Sequence, residues 1–146
     1  MTTANLIPDL QRDEGLRLDA YPDPLSGGDP WTIGYGHTGP DVHAGLVWTP
    51  EQATAALRAD IATAENALSA QLPWWTNLDD LRQDVMVNMT FNMGIATLLQ
   101  FHNTLAAIQA GNWQAAHDGM LASAWAHQVG ARAQRLAEQM LTDVHQ

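Results

Sequence analysis

The segment Arg12–Gly39 constrains the fold of this chain most, because its residue pattern changes from helical to alternating within a short span. Just before and within it, Ile7, Leu10 and Glu14 have the spacing of neighbours on one face of a helix. Gly15 follows at the position where a left-handed residue commonly ends a helix. The pattern predicts a helix that ends at Glu14 and holds this carboxylate in its last turn.

Glu14 would occupy an unusual environment for a carboxylate. It would lie at the negative end of the helix dipole, on a face that is otherwise apolar, and both features disfavour the charged form. A carboxylic acid that stays neutral near pH 7 is what general acid catalysis requires. A glutamate at a helix end is usually a solvated residue, so Glu14 gains weight only together with the residues that follow.

A β-hairpin is predicted after Gly15. Alternating apolar and polar residues at 16–21 indicate one half-buried strand, and residues 31–35 indicate a second. The loop between them is rich in Pro, Gly, Asp and Ser. Asp23 opens this loop, and Thr32 lies early on the returning strand. Two carboxylates in unlike environments, with a hydroxyl able to hold a water, are the groups that glycoside hydrolysis uses.

This segment resembles the active-site signature of the phage-type lysozymes, the muramidases of glycoside hydrolase family 24. The resemblance lies in EGLRLDAY at the turn from helix to strand and in TIGYGH on the second strand. It implies that Glu14 is the catalytic acid, Asp23 the second carboxylate and Thr32 the residue that helps to place the attacking water. Eight residues lie between Glu14 and Asp23, as in the family.

The loop after Asp23 departs from the family pattern. Eight residues separate Asp23 from Thr32, which is a longer spacing than in the best-known members. Asp29 lies within this longer loop and is therefore a weaker rival to Asp23 for the role of second carboxylate.

The resemblance extends in weaker form over most of the chain. The segment VNMTFNMG resembles one beside the family's cleft, which implies that Phe91 and Asn92 contact sugar. For Asn88, one helical turn earlier, we expect a hydrogen-bonded core asparagine.

Three supporting residues are also implied by the resemblance. His37 ends the second strand, and Asp60 resembles the acidic position that faces this histidine, so we expect an ion pair between them. Arg132 resembles the family's arginine that reaches the catalytic acid. From the residues alone, Arg135 and Glu138 have the spacing of a surface ion pair on the same helix.

The expected fold class is α+β and mostly helical: a lysozyme-like arrangement of a small β-hairpin lobe, a long joining helix and a helical lobe. The β lobe would cover about residues 15–48 and the helical lobe about 73–146, with the first helix packed on it and a substrate cleft between the lobes. A length of 146 residues with 46% apolar content predicts a single domain with a core. The resemblance implies that this domain, 1–146, is catalytic.

Local signals predict the remaining elements. Thr49, Pro50 and Gln52 together indicate the start of the long helix, which would run to about Leu72. A short third strand is predicted at Leu46–Trp48. Further helices are predicted at Leu78–Met93, at Ala96–Ala110 as one shorter helix or a helix pair, at Trp113–His127 after an Asn112 cap, and from Gly130 to about Val144.

Composition excludes several classes of function. The formal net charge is −10, with six arginines and no lysine, so we expect no nucleic-acid partner. There is no cysteine, which excludes a disulfide scaffold and a cysteine nucleophile. His37, Asp41 and His43 are close in sequence, but their spacing matches no known ligand pattern, so we expect no metal and no cofactor. Bacterial envelopes are anionic too, so affinity for them would come from neutral sugar contacts.

No apolar run reaches membrane-spanning length, and the first residues lack a basic region followed by an apolar core. We therefore expect no membrane insertion and no signal peptide. The resemblance implies a monomer that stays in the host cytoplasm until a holin releases it to the periplasmic cell wall.

The function implied by the resemblance is that of a lysozyme. It would hydrolyse the β-1,4 bond between N-acetylmuramic acid and N-acetylglucosamine in peptidoglycan glycan strands, with inversion, during phage-mediated host lysis. Two alternatives stay open. A lytic transglycosylase also needs a glutamate acid but forms a 1,6-anhydro product without water, and Asp23 and Thr32 argue against it. The other alternative is a catalytically silent wall-binding or structural domain of a phage particle.

Overall fold

The computed structural model describes all residues, 1–146. Helix accounts for 62% of the chain and strand for 8%, which confirms the mostly helical α+β class. The chain divides into two compact units. We call Ile7–Thr63 the hairpin unit, and Met1–Leu6 with Ala64–Gln146 the helical unit. The single-domain assignment and its lobe boundaries stay predictions.

The regular elements follow one another in a simple order. Helix α1 precedes a three-stranded sheet, and the long helix α2 begins in the hairpin unit and ends in the helical unit. The bounds are α1 Leu6–Glu14, β1 Arg17–Tyr21, β2 Thr32–Gly34, β3 His37–Thr38, α2 Pro50–Gln71, a 3₁₀ turn at Pro73–Asn77, α3 Asp80–Met93, α4 Ile95–Leu98, α5 His102–Ala110, α6 Trp113–Leu121, α7 Ala124–Val129 and α8 Ala131–Thr142.

Helix α1 ends where the sequence predicts. Gly15 has a φ of +70°, and its N–H donates to the carbonyl of Gln11 at 3.0 Å, which closes the last turn. The buried side of the helix is formed by Leu6 and Leu10. Glu14 continues this spacing of four residues and is half-buried.

The sheet is antiparallel in the order β1-β2-β3, with Tyr21 opposite Thr32. The third strand of the sheet is His37–Thr38, which the sequence did not predict, and the predicted strand at Leu46–Trp48 is present only as a bridge to β1. Glycines with positive φ at 34 and 36 let the chain reverse directly after β2, so the next residues form the third strand. Leu46–Trp48 instead makes two backbone hydrogen bonds to β1 and a single isolated bridge.

Helix α2 begins with the predicted reciprocal cap. The N–H of Gln52 donates to Thr49 Oγ1 at 3.2 Å, and the N–H of Thr49 donates to Gln52 Oε1 at 2.8 Å. One face of the helix is buried at a spacing of three to four residues, as an amphipathic helix requires. These buried residues are Ala53, Leu57, Ile61, Ala64 and Leu68.

Helix α3 is the most buried element of the helical unit, with every residue from Arg82 to Thr90 buried. It packs on α8, and α6 packs on both α5 and α8. The single helix predicted at Trp113–His127 is wrong. It is two helices, because Ser123 accepts a hydrogen bond from the N–H of Ala126 at 3.2 Å and so caps α7 separately. None of the helices combines the length and apolarity needed to cross a bilayer.

Candidate active site

Glu14 is the last residue of α1, and its carboxylate lies against the turn between β2 and β3. A Cβ atom on Gly36 would come within 2.9 Å of Glu14 Oε2, which is closer than real Cβ contacts. Gly36 also has a φ of +76°, a conformation that side-chain-bearing residues rarely adopt. Glycine is therefore required here both by the backbone and by the neighbouring carboxylate.

Two further contacts hold this turn. Gly34 has a φ of +66°, and a Cβ there would lie 3.0 Å from Trp48 Cζ3, so the indole packs directly on the backbone of β2. Gln11 Nε2 donates to the hydroxyl of Tyr35 at 3.4 Å, which connects α1 to the turn. Both contacts fix the part of the hairpin that lies next to Glu14.

Asp23 is held by its own loop. Its Oδ2 accepts hydrogen bonds from the N–H groups of Leu25 at 3.2 Å and Ser26 at 3.0 Å. The Ser26 hydroxyl donates to the carbonyl of Asp29 and accepts from the N–H of Gly28. The N–H of Asp23 donates to the carbonyl of Gly28 at 2.9 Å. The longer loop is thus closed on itself, and Oδ1 of Asp23 accepts no hydrogen bond.

Thr32 lies at the same end of the hairpin as Asp23. It is opposite Tyr21, the second residue before Asp23, and its hydroxyl makes no hydrogen bond within the protein. Asp23 is half-buried, whereas Asp29 is exposed and its side chain makes no hydrogen bond. Asp23 is thus held in place and Asp29 is not, while the role of Asp23 as the second carboxylate stays a prediction.

The predicted pairing of His37 with Asp60 is present, with His37 Nδ1 at 2.7 Å from Asp60 Oδ2. Sequence reasoning missed a second partner, because His37 Nε2 lies 3.3 Å from Oδ2 of Asp41. The spacing of four residues between His37 and Asp41 is the only local signal for this contact, and it does not by itself predict a pair because it lies across a turn. No group of three or more ligand-type side chains is placed to hold a metal.

Opposing effects set the pKa of His37. Burial lowers it, but the hydrogen bond and negative charge of Asp60, reinforced by those of Asp41, more than offset burial. The pKa of His37 is therefore raised above its usual value of 6.5.

Phe91 and Asn92 are half-buried in the last turn of α3, within the helical unit. Asn92 Oδ1 accepts a hydrogen bond from Trp125 Nε1 at 2.6 Å. Sequence reasoning missed Trp125. A buried indole N–H usually finds an acceptor, but no local pattern shows which one.

Arg132 is buried in α8, where its Nε donates to Asn88 Oδ1 at 3.0 Å. Asn88 is thus the hydrogen-bonded core asparagine that its position predicts. The supporting role that the resemblance gives to Arg132 stays a prediction.

A family model described as phage lysozyme matches residues 11–140, which include every residue described above as part of the site. This chain belongs to the phage lysozyme family. The match to the family model, together with the endolysin relatives described next, shows that this protein is an enzyme, a lysozyme-type hydrolase.

Relatives of this phage lysozyme support the assignment. The endolysin of Salmonella phage P22 is 34% identical over 123 residues, covering 82% of this chain and 80% of the relative. The endolysin of Acyrthosiphon pisum secondary endosymbiont phage 1 is 36% identical over 107 residues, covering 73% and 68%. The pre-baseplate central spike protein Gp5 of phage T4 is 31% identical over 158 aligned positions, covering 91% of this chain but 27% of that protein.

Proposed function

We propose that this phage lysozyme hydrolyses peptidoglycan at the β-1,4 bond between N-acetylmuramic acid and N-acetylglucosamine. The main structural support is the position of the Glu14 carboxylate, which packs against the turn that directly follows the strand bearing Thr32. The family match supplies the class of substrate, and the geometry of the hairpin unit supports the roles of individual residues.

In the proposed reaction Glu14 donates its proton to the glycosidic oxygen as the bond to the anomeric carbon breaks. Asp23 and Thr32 hold a water on the opposite face of the sugar. The water attacks the anomeric carbon and gives its proton to Asp23, so the configuration at that carbon inverts. Proton exchange with solvent then restores Glu14 as the acid and Asp23 as the base.

The loop gives Asp23 a defined orientation for this role. Two backbone N–H groups hold Oδ2, so the carboxylate does not rotate freely, and Oδ1 is available to accept a hydrogen bond from the water. The Thr32 hydroxyl has no protein partner and can accept or donate to the same water. A fixed base lowers the entropic cost of placing the water for attack.

Phe91 and Asn92 are proposed to contact sugar. Because Asn92 Oδ1 is engaged by Trp125, the Asn92 amide nitrogen is the group that would donate to a hydroxyl or acetamide oxygen of the glycan. The ring of Phe91 would pack on an apolar sugar face.

Two of the relatives described above are endolysins, and on this basis we propose a role in host lysis. The protein would act as a monomer on the cell wall in the periplasm after a holin releases it from the host cytoplasm.

Analysis of the products tests the reaction. Purified sacculi are digested in H₂¹⁸O, and the fragments are examined by mass spectrometry and by ¹H NMR of the new anomeric centre. We expect reducing muramic ends that contain ¹⁸O, with inverted configuration. Glu14→Gln should lower the rate at least ~10²-fold, since general acid catalysis contributes on the order of 10²–10⁴. Glu65→Gln, on α2, is the matched control and should leave the rate unchanged. Anhydro-muramic ends would instead identify a lytic transglycosylase.

The similarity to the T4 spike protein favours a second candidate, a module of a phage particle. A catalytically silent module would sediment with sacculi but would not clear permeabilised Gram-negative cells in a turbidity assay. An active module carried by particles would clear the cells and would also be found by mass spectrometry of purified virions.

A further inference from the structure

A cavity of about 440 Å³ opens on the helical unit, and none of the residues assigned to catalysis lines it. Its wall is built from the 3₁₀ turn at Pro73–Asn77 and the segment that joins α5 to α6. This volume lies within the range of sites that bind small organic molecules. The side chains used in the argument below are Trp74, Asn77, Asp79, Gln109 and Trp113.

Two half-buried tryptophans line the cavity, Trp74 and Trp113. The indole N–H groups of Trp75 and Trp125 donate to Ser69 Oγ and Asn92 Oδ1, but those of Trp74 and Trp113 donate to no protein group. Neither of these two nitrogens is among the buried polar atoms that lack a partner, so both are open to solvent. The two tryptophans that line the cavity therefore combine apolar ring surface with hydrogen-bond donors that are open to solvent.

The ring of Trp113 packs against a buried arginine, Arg82. The guanidinium carbon of Arg82 lies 3.8 Å from the centroid of the Trp113 ring. Arg82 is itself held by the carboxylate of Asp79 and by the carbonyl of Met140, at 2.8 Å. The indole is thus a rigid surface, and its cost of ordering on binding is small.

The charges of the cavity wall compensate each other. Asp79 is the only charged residue that lines the cavity, and it is paired with Arg82. The other polar side chains are the carboxamides of Asn77 and Gln109. Indole faces, neutral amides and a balanced charge suit a neutral ligand with an apolar face and a hydrogen-bonding rim, which describes a pyranose ring.

We propose that this cavity is a second, non-catalytic binding site for a neutral N-acetylhexosamine segment of the glycan strand. The choice of glycan rests on the proposed function. With a net charge of −10 the protein gains no electrostatic attraction to an anionic wall, so retention on it must come from neutral contacts. A second sugar site keeps the enzyme on an insoluble polymer and raises the effective concentration of cleavable bonds.

Binding is tested with full-length Glu14→Gln protein, which prevents turnover. The probes are purified sacculi, in a sedimentation assay, and a soluble N-acetylglucosamine trimer, followed through the ¹⁵N-labelled indole signals. Trp74→Ala and Gln109→Ala should each weaken sedimentation with sacculi by about tenfold, equivalent to about 1.4 kcal/mol. The trimer should shift the signals of Trp74 and Trp113. Asn103→Ala, in a different cavity of the same unit, is the control and should bind as the parent does.

Trp113→Phe tests the second tryptophan while a ring stays on the guanidinium of Arg82. It removes the indole N–H and part of the ring surface, so it should also weaken sedimentation with sacculi. Unshifted Trp74 and Trp113 signals, or sedimentation of Trp74→Ala equal to that of the parent, would overturn the second site.

Rates of the enzyme with Glu14 intact separate the two proposals. Trp74→Ala should slow hydrolysis of sacculi and leave hydrolysis of short soluble glycan fragments unchanged. If Trp74→Ala hydrolysed both substrates at the same rate as the parent enzyme, the second site would be rejected and the proposed hydrolysis would be unaffected. Absence of hydrolysis by the unmodified protein would reject the proposed function, while the binding data with Glu14→Gln would still decide the second site.

Discussion

The carboxylate of Glu14 packs so closely on Gly36 that a single methyl group at Gly36 would come within 2.9 Å of Oε2. The end of α1 and the turn between β2 and β3 therefore fix each other's position. In the proposed mechanism, the backbone of this turn sets where the acid lies relative to the strand that carries Thr32. The position of the proton donor thus depends on a residue that has no side chain.

Gly36→Ala is expected to reduce activity by about tenfold or more. The new methyl group displaces the Glu14 carboxylate, and a positive φ at a non-glycine residue also costs roughly 1–2 kcal/mol of stability. Turnover of sacculi and the free energy of unfolding in urea are measured on the same samples.

Gly45→Ala separates the two effects. Gly45 has a φ of +86°, but a Cβ there meets nothing within 4 Å. This variant should lose similar stability and retain its turnover. Equal loss of turnover in both alanine variants would show that backbone strain, rather than displacement of Glu14, explains the result.

Asp23→Asn and Thr32→Ala should each lower turnover strongly, by about 10²-fold for the base, without unfolding the protein. Asp29→Asn should change it less than twofold, since its exposed side chain makes no hydrogen bond. Rates on sacculi are compared with circular dichroism of each variant. A large loss in Asp29→Asn with a small loss in Asp23→Asn would exchange the roles of the two carboxylates.

The sequence predicted those features whose decisive partners are close along the chain. The stop at Gly15, the Thr49–Gln52 cap and the Asn112 cap each depend on groups within four residues, so propensity and capping rules were sufficient. The break between α6 and α7 also has a local signal, because Ser123 is a residue type that commonly caps a helix N-terminus. The single helix predicted over this segment did not take that signal into account.

The strand His37–Thr38 also depends on close neighbours, the glycines at 34 and 36, but its two residues are too few to show an alternating pattern. Features decided by distant residues were not predictable in the same way. Leu46–Trp48 pairs with residues of β1 that lie far back along the chain, so its own sequence does not show which strand it joins. The bond from Trp125 to Asn92 joins positions 33 residues apart. No periodicity of the sequence specifies such a pair, because the packing of the helical unit brings the two residues together.

The hydrogen bond between Trp125 and Asn92 gives a third prediction. Asn92→Ala leaves the indole N–H without its acceptor and should destabilise the helical unit by about 1–3 kcal/mol. Asn92→Asp keeps an oxygen acceptor but removes the amide donor proposed for sugar. It should therefore retain more stability than Asn92→Ala while its KM for glycan fragments rises. Chemical denaturation and steady-state kinetics distinguish these results. A KM for Asn92→Asp equal to that of the parent would argue against sugar binding by the amide.

The contact between His37 and Asp60 predicts how stability depends on pH. The folded-state pKa of His37 is raised above the usual 6.5, so folding favours its charged form. The resulting stabilisation is fully present below the unfolded-state pKa and is lost as pH rises through the folded-state value. Asp60→Asn removes the charge that favours imidazolium. It should lower the pKa of His37 and destabilise the protein more at about pH 5.5 than at about pH 8.5.

Asp41→Asn is the matched control for this prediction. Asp41 lies 3.3 Å from the other ring nitrogen, and its side chain is 61% exposed, so solvent weakens its interaction. It should shift the pKa of His37 in the same direction as Asp60→Asn but by less. NMR titration of the His37 ring protons measures both pKa values, and thermal unfolding at the two pH values measures stability. A destabilisation by Asp60→Asn that is equal at both pH values would mean that the contact acts through hydrogen bonding alone, because only the charge-dependent part varies as His37 titrates.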